Sequence, residues 1–109
     1  MHELGIAQNV VAIVCEHAKG QRIRRVLLEV GKLSAVMPDA ISFCFEICAK
    51  GTIVEGAELA IEEVAGLGVC SDCGAELALD QASWVCTCGS RNVQCVAGLE
   101  LKVKEMEVE

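Results

Sequence analysis

The chain has 109 residues, a length suited to a single domain with a small appendage. Nine Lys and Arg against 16 Asp and Glu give a net charge of −7, which argues against a phosphate-backbone binder, and Phe43, Phe45 and Trp84 are too few aromatics for a base-stacking platform. A hydrophobic content of 53 % excludes general disorder, and without an apolar run of spanning length or a signal-type start the chain is expected to be soluble and cytoplasmic.

Residues 4–18 are predicted to form an amphipathic helix, with Leu4, Ala7, Val11, Val14, Cys15 and Ala18 on one face. Gly20 is placed to end it, because glycine enters the left-handed region cheaply. The stretch from Ile23 to Val30 reads as a strand, with Val26, Leu28 and Val30 alternating onto one face. A loop over 31–37 then leads to a second helix that begins at Pro38, where a missing N–H costs nothing, with Asp39 complementing the dipole. Ile41, Cys44, Phe45 and Cys48 form its apolar stripe, and Gly51 is expected to stop it. A second strand is predicted over 57–64.

At the far end Leu99, Leu101 and Val103 alternate with Glu100, Lys102 and Lys104, and the pattern then slips by one to Met106 and Val108. Such a slip is the signature of a β-bulge near Lys104 and Glu105. Because this strand has one covered face, it is expected to return to the sheet of the first part. The fold class expected is therefore α+β: two helices packed on a three-stranded sheet, formed by residues 1–66 and completed by 98–109. The cysteine-rich residues 67–97 then constitute an insertion.

Eight cysteines occur, of which Cys15, Cys44 and Cys48 fall on helical faces and read as small apolar core groups. Five others, Cys70, Cys73, Cys86, Cys88 and Cys95, fall within 26 consecutive residues. Cys70-Ser71-Asp72-Cys73-Gly74 has zinc-knuckle spacing, since two intervening residues let a tight turn present both sulfurs to one ion. After a twelve-residue spacer, Cys86-Thr87-Cys88-Gly89 offers a second pair with one intervening residue. Cys70, Cys73, Cys86 and Cys88 make the expected Zn(II) set, with Cys95 as the alternative ligand in place of one member of the second pair. A redox dithiol is disfavoured, because it calls for a following helix and residues 74–85 do not read as one. A closed four-thiolate site has no open coordination position and is structural. Trp84 is expected to plug the insert's small core.

The other unusual feature is Met1-His2-Glu3. A bulky second residue leaves the initiator methionine in place, so the α-amine, the amides of His2 and Glu3 and the His2 imidazole fall in one short stretch. Four nitrogens in a plane suit Ni(II) or Cu(II) far better than zinc or magnesium. The plainer reading is a solvated surface histidine. His17, near the end of the first helix, reads as solvated, and Arg22, Arg24 and Arg25 read as a solvated edge or a docking patch for an acidic partner. An enzyme built on a reactive cysteine is disfavoured, because neither of the two histidines lies near a cysteine in a catalytic context.

Several segments together resemble the HypA-type nickel metallochaperones of NiFe-hydrogenase maturation. They are Met1-His2-Glu3-Leu4, Val30-Gly31-Lys32-Leu33-Ser34, Val36-Met37-Pro38-Asp39-Ala40 and Phe43-Cys44-Phe45-Glu46, then Gly51-Thr52, Glu55-Gly56-Ala57 and Ile61-Glu62-Glu63. The cysteine insert and the Glu-rich last strand extend the resemblance over essentially the whole chain. It implies a nickel-binding α/β part and a zinc-ribbon-like insert, with Ni(II) cargo held by His2 and nearby backbone nitrogens and with Glu3 supporting delivery. It further implies a non-enzymatic role, passing nickel with a HypB-type GTPase to the NiFe-hydrogenase large subunit. The family's zinc is bound by two Cys-x-x-Cys pairs, so Cys86-Thr87-Cys88 departs from the pattern and leaves the fourth ligand open. A zinc-ribbon interaction module without cargo metal is the alternative function. A monomer and a domain-swapped dimer are both compatible with a strand that returns after an insertion.

Overall fold

The computed structural model describes residues 3–80 and 84–109. Helix α1 (Glu3–Ala18) is followed by strand β1 (Ile23–Gly31), a 3₁₀ turn over Lys32–Ser34, and helix α2 (Pro38–Ala49). Five strands complete the order: β2 (Glu58–Val64), β3 (Gly66–Cys70), β4 (Glu76–Leu79), β5 (Val93–Ala97) and β6 (Leu101–Val108). The expected α+β architecture forms, with the first sheet ordered β2-β1-β6 and a second ordered β4-β3-β5.

Helix α1 ends where Lys19 and Gly20 both turn left-handed, at φ 52° and 82°, and β1 starts within five residues. Val26, Leu28 and Val30 are buried as the alternation required, each burial contributing about 1.5–3 kcal/mol. Their shared face receives both helices: Ala7, Val10, Val14 and Ala18 from α1 and Ile41, Phe45 and Ala49 from α2. The buried stripe of α1 is rotated from the predicted one, for Val10 joins it while Leu4 is 45 % exposed. The helix has two neighbours, which explains the difference. One side faces the sheet, and Leu4, Gln8, Val11 and Cys15 border Ile47 and Cys48 of α2 in a shallow groove.

Pro38 takes the first position of α2 and Asp39 its first turn, and Gly51, at φ 79°, follows its end. The Thr52 hydroxyl secures that end by donating to the Ala49 carbonyl at 2.7 Å. Helix α2 thereby crosses from β1 to the parallel strand β2, while β6 pairs with β1 antiparallel. Leu27 lies opposite Glu105 and Leu28 opposite Val103, so Lys104 is the extra residue of a bulge at the predicted place. Its ammonium lies 3.3 Å from the Glu62 carboxylate on the outer face.

Two expectations about the last third are corrected. Leu99 is not part of the final strand; it is 56 % exposed, because Gly98 at φ 111° breaks the strand phase before β6 begins. Trp84 is no core plug. It is 37 % exposed, its indole N–H donates to the Asp80 carbonyl at 2.9 Å, and among the described residues the buried apolar side chains of the second sheet's lobe are Cys70, Leu79 and Cys86. Among the described residues no helix is long and apolar enough to cross a membrane.

Candidate metal centres

Strand β3 delivers Cys70 to the head of a tight turn. The Cys70 amide donates to Ala75 O and the Gly74 amide to Cys70 O, both at 2.9 Å, with Gly74 in the left-handed region. The second pair sits in a turn one residue shorter, in which the Cys86 amide donates to Ser90 O and the Gly89 amide to Cys86 O. That tighter closure is how one intervening residue still aims both sulfurs to the same side. Two contacts clasp the turns together: the Ser71 amide donates to Asn92 O at 2.8 Å, and the Ser90 hydroxyl donates to the Asp72 carboxylate.

Within this clasp the sulfurs of Cys70, Cys73, Cys86 and Cys88 all lie within 4.8 Å of one another. Cys70 and Cys88 are 3.7 Å apart and Cys73 and Cys86 3.5 Å. Zinc–sulfur bonds of about 2.3 Å in a tetrahedron place sulfurs about 3.8 Å apart, and the 3.7 and 3.5 Å separations are close to that spacing. Cys70 and Cys86 are buried, Cys73 and Cys88 exposed. Cys95 stands apart on β5, its thiol donating to Ala97 O at 3.2 Å.

The thiols divide electrostatically along the same line. The Cys73 amide, directed at the Cys70 sulfur, lowers that thiol to about 6. Cys86 is likewise lowered, first by the Cys88 amide and then by the Cys73 thiol. Cys88 receives the Ser90 amide, which lowers it, but the Cys86 and Cys70 sulfurs outweigh that bond and push it up to about 12. At Cys73 the Ala75 amide lowers the pKa, and the same two sulfurs again prevail and raise it. Four close sulfurs cannot all ionise without a cation among them, and a dication removes that conflict.

The amino-terminal candidates Met1 and His2 lie outside the described residues. Glu3 is half-buried in the first turn of α1. Because α1 runs back along β1, its first turns lie beside the start of β6. Ile6 and Val10 share a depression with Leu101 and Val103, and Leu101 pairs with Val30. Helix α2 starts at this same end, where Lys32, Val36, Met37, Asp39 and Glu63 border a shallow hollow of about 360 Å³. The sequence reading missed the Asp72–Ser90 clasp, whose one visible sign is a serine just after the second knuckle's glycine.

Cys15, Cys44 and Cys48 are half-buried against the core, as small apolar groups would be. His17 is exposed, with Nδ1 2.8 Å from the Ile13 carbonyl one turn back. The basic run faces acidic residues of the chain itself. Arg24 reaches Glu107 at 2.6 Å, Arg25 reaches Glu58 and Glu107, and Arg22 reaches Glu109.

A family model described as hydrogenase/urease nickel incorporation, metallochaperone, HypA matches residues 1–108. The chain belongs to the HypA family. It is 60 % identical over 109 residues to the hydrogenase maturation factor HypA of Nostoc punctiforme, covering all of this chain and 96 % of that one. It is 61 % identical, with the same coverage, to the hydrogenase maturation factor HypA of Trichormus variabilis. Its fold is similar to the solution structure of the nickel metallochaperone HypA from Helicobacter pylori, with a TM-score of 0.73 and 27 % identity, covering 99 % of this chain and 97 % of that one. HypA proteins are nickel-incorporation metallochaperones, and the four-cysteine cluster is the metal-binding feature of this member among the described residues.

Proposed function

We propose that this HypA protein carries Ni(II) at its amino terminus and, together with a HypB-type GTPase, delivers it to the NiFe-hydrogenase large subunit in the cytoplasm, without catalysing a reaction itself. The observation that carries the reading is the family match, which runs from residue 1 and so includes Met1-His2-Glu3. The His2 imidazole, the Met1 amine and neighbouring amide nitrogens supply the donors, and Glu3 supports them. Nitrogen donors of this kind suit Ni(II).

The cysteine cluster is assigned a different task. Cys70, Cys73, Cys86 and Cys88 would hold a Zn(II) whose role is structural, since four thiolates fill a tetrahedron and leave no position for exchange. The division of labour follows from chemistry: a cargo ion must leave, which suits an accessible terminus, while a brace must stay, which suits a clasped cage. Residues 1–66 with 98–109 form the cargo-carrying part in this reading, and residues 67–97 the zinc-binding insert. Cargo binding should weaken as pH falls through the His2 range, ordinarily about 6.5, because a protonated imidazole cannot coordinate.

The test is a Ni(II) titration of zinc-loaded, untagged protein beside His2→Gln and a variant carrying two extra residues ahead of Met1. Glutamine is bulky enough to keep Met1 in place. One nickel bound by the native chain and lost in both variants supports the reading. Equal binding by all three places the nickel elsewhere in the chain and overturns the amino-terminal chelate, whereas no binding by any of them favours an interaction module without cargo.

A further inference from the structure

The chain leaves the first sheet after β2 and returns to it before β6, and both passages meet the end of β1. A Cβ on Gly31 would overlap the Gly98 carbonyl, and a Cβ on Gly98 would stand 2.6 Å from Gly66 Cα. Gly98 is also at φ 111°, where other residues are strained. Onto this bare backbone sits Leu33, whose Cδ1 would lie 2.9 Å from a Cβ on either Gly66 or Gly98. The Leu33 amide donates to Gly98 O at 2.8 Å, and the Gly31 amide to Glu100 O at 2.7 Å. The Glu100 carboxylate in turn accepts from the Gly98 amide at 2.6 Å.

We propose that Leu33, seated on Gly66 and Gly98, is the key of a mechanical lock that ties the 32–37 loop and the start of α2 to the metal-loaded state of the cysteine lobe. The linkage is short and made of regular structure. Gly66 begins β3, whose other end is Cys70, and Gly98 follows β5, whose other end lies beside the Ser71–Asn92 clasp. Closing four sulfurs around an ion fixes the far ends of both strands, and the strands carry that constraint to Leu33's seat. On the other side of the seat the loop holds Ala35 at φ 61°, an uncommon conformation for a side-chain-bearing residue. Met37 and Pro38 follow directly, so a loop released from its seat can relax and reposition the first turn of α2. That turn is at the same end of the sheet as the first turn of α1. Coupling of this kind needs an element with two arrangements, and in this proposal that element is the loop, seated on the two glycines or released from them.

The lock rests on the zinc assignment made above and is independent of the nickel one. It is tested by amide hydrogen exchange on the full chain, zinc-loaded and then stripped by chelator under reducing conditions. Stripping should speed exchange at Gly31 and Leu33 by on the order of tenfold or more, while Val14 and Ala18 of α1 stay protected. Ser71 reports whether the cysteine lobe has opened. Opening at Ser71 with Gly31 and Leu33 still protected overturns the lock alone; protection at all three overturns the zinc assignment and the lock together. In zinc-loaded Leu33→Ala, Gly31 should exchange as it does in the stripped protein while Ser71 remains protected. A protected Gly31 in that variant would refute the role of Leu33.

Discussion

Removing zinc should unfold the cysteine lobe and leave the helices standing. Among the described residues three of the buried apolar side chains, Cys70, Leu79 and Cys86, lie in that lobe, and two of these are themselves proposed ligands. Fully burying a leucine contributes about 1.5–3 kcal/mol, whereas a structural zinc contributes about 10–16 kcal/mol of apparent binding energy near neutral pH. The ion therefore outweighs the lobe's apolar core several-fold, and strands of four or five residues do not persist without it. Among the described residues the other part keeps fourteen buried apolar side chains of its own, from Ala7 to Val54. After chelation under reducing conditions, far-UV circular dichroism should retain the helical signal of α1 and α2. Amide cross-peaks of residues 67–97 should collapse toward random-coil positions. Cys86→Ser should reproduce this without chelator. Wholesale loss of helix would refute the reasoning, and so would a dispersed spectrum for the insert in protein verified to be metal-free.

Phe45→Ala, at a side chain 2 % exposed, should lower stability by about 3–5 kcal/mol, whereas Phe43→Ala on the outer face of α2 should change it by no more than about 0.5 kcal/mol. Similar urea midpoints for the two variants would contradict this orientation of the helix. The Glu107 carboxylate is held below its ordinary value of 4.5, first by the hydrogen bond from Arg24. A depressed carboxylate pKa stabilises the fold above 4.5 and ceases to do so as pH falls through the folded value, so Arg24→Ala should flatten the acid-side loss of stability. Because the pair is exposed the effect should be small and vanish in high salt, and parallel pH profiles at low salt would count against it.

Both helices and the first sheet were legible because their signals are local. Periods of 3.6 and 2 are written within a dozen residues, and even the bulge at Lys104 shows as a one-residue slip between Val103 and Met106. The four sulfurs were legible by spacing, while the choice between Cys88 and Cys95 was not. In the structure the tighter turn at Cys86–Ser90 groups the Cys88 sulfur with the other three, a backbone property no cysteine count contains. Strands β3, β4 and β5 left no periodic trace. They are short, β3 has glycines at 66 and 68, and their pairing follows from the clasped turns, with little help from an apolar face.

The basic run shows the same limit from another side. Arg22, Arg24 and Arg25 read alike whether they await an acidic partner or face the solvent. Only the antiparallel register, with Arg25 opposite Glu107, brings this run onto the acidic residues of the last strand, where Arg24 and Arg25 meet Glu107 and Arg22 meets Glu109. Contacts between positions more than sixty residues apart depend on the whole path of the chain between them. The seat of Leu33 on Gly98 belongs to this class. A leucine in a loop and a glycine before a strand are unremarkable separately, and their meaning lies in a distance that exists only once both sheets have formed. Where this protein joins its two parts, composition is therefore silent and packing is the informative level.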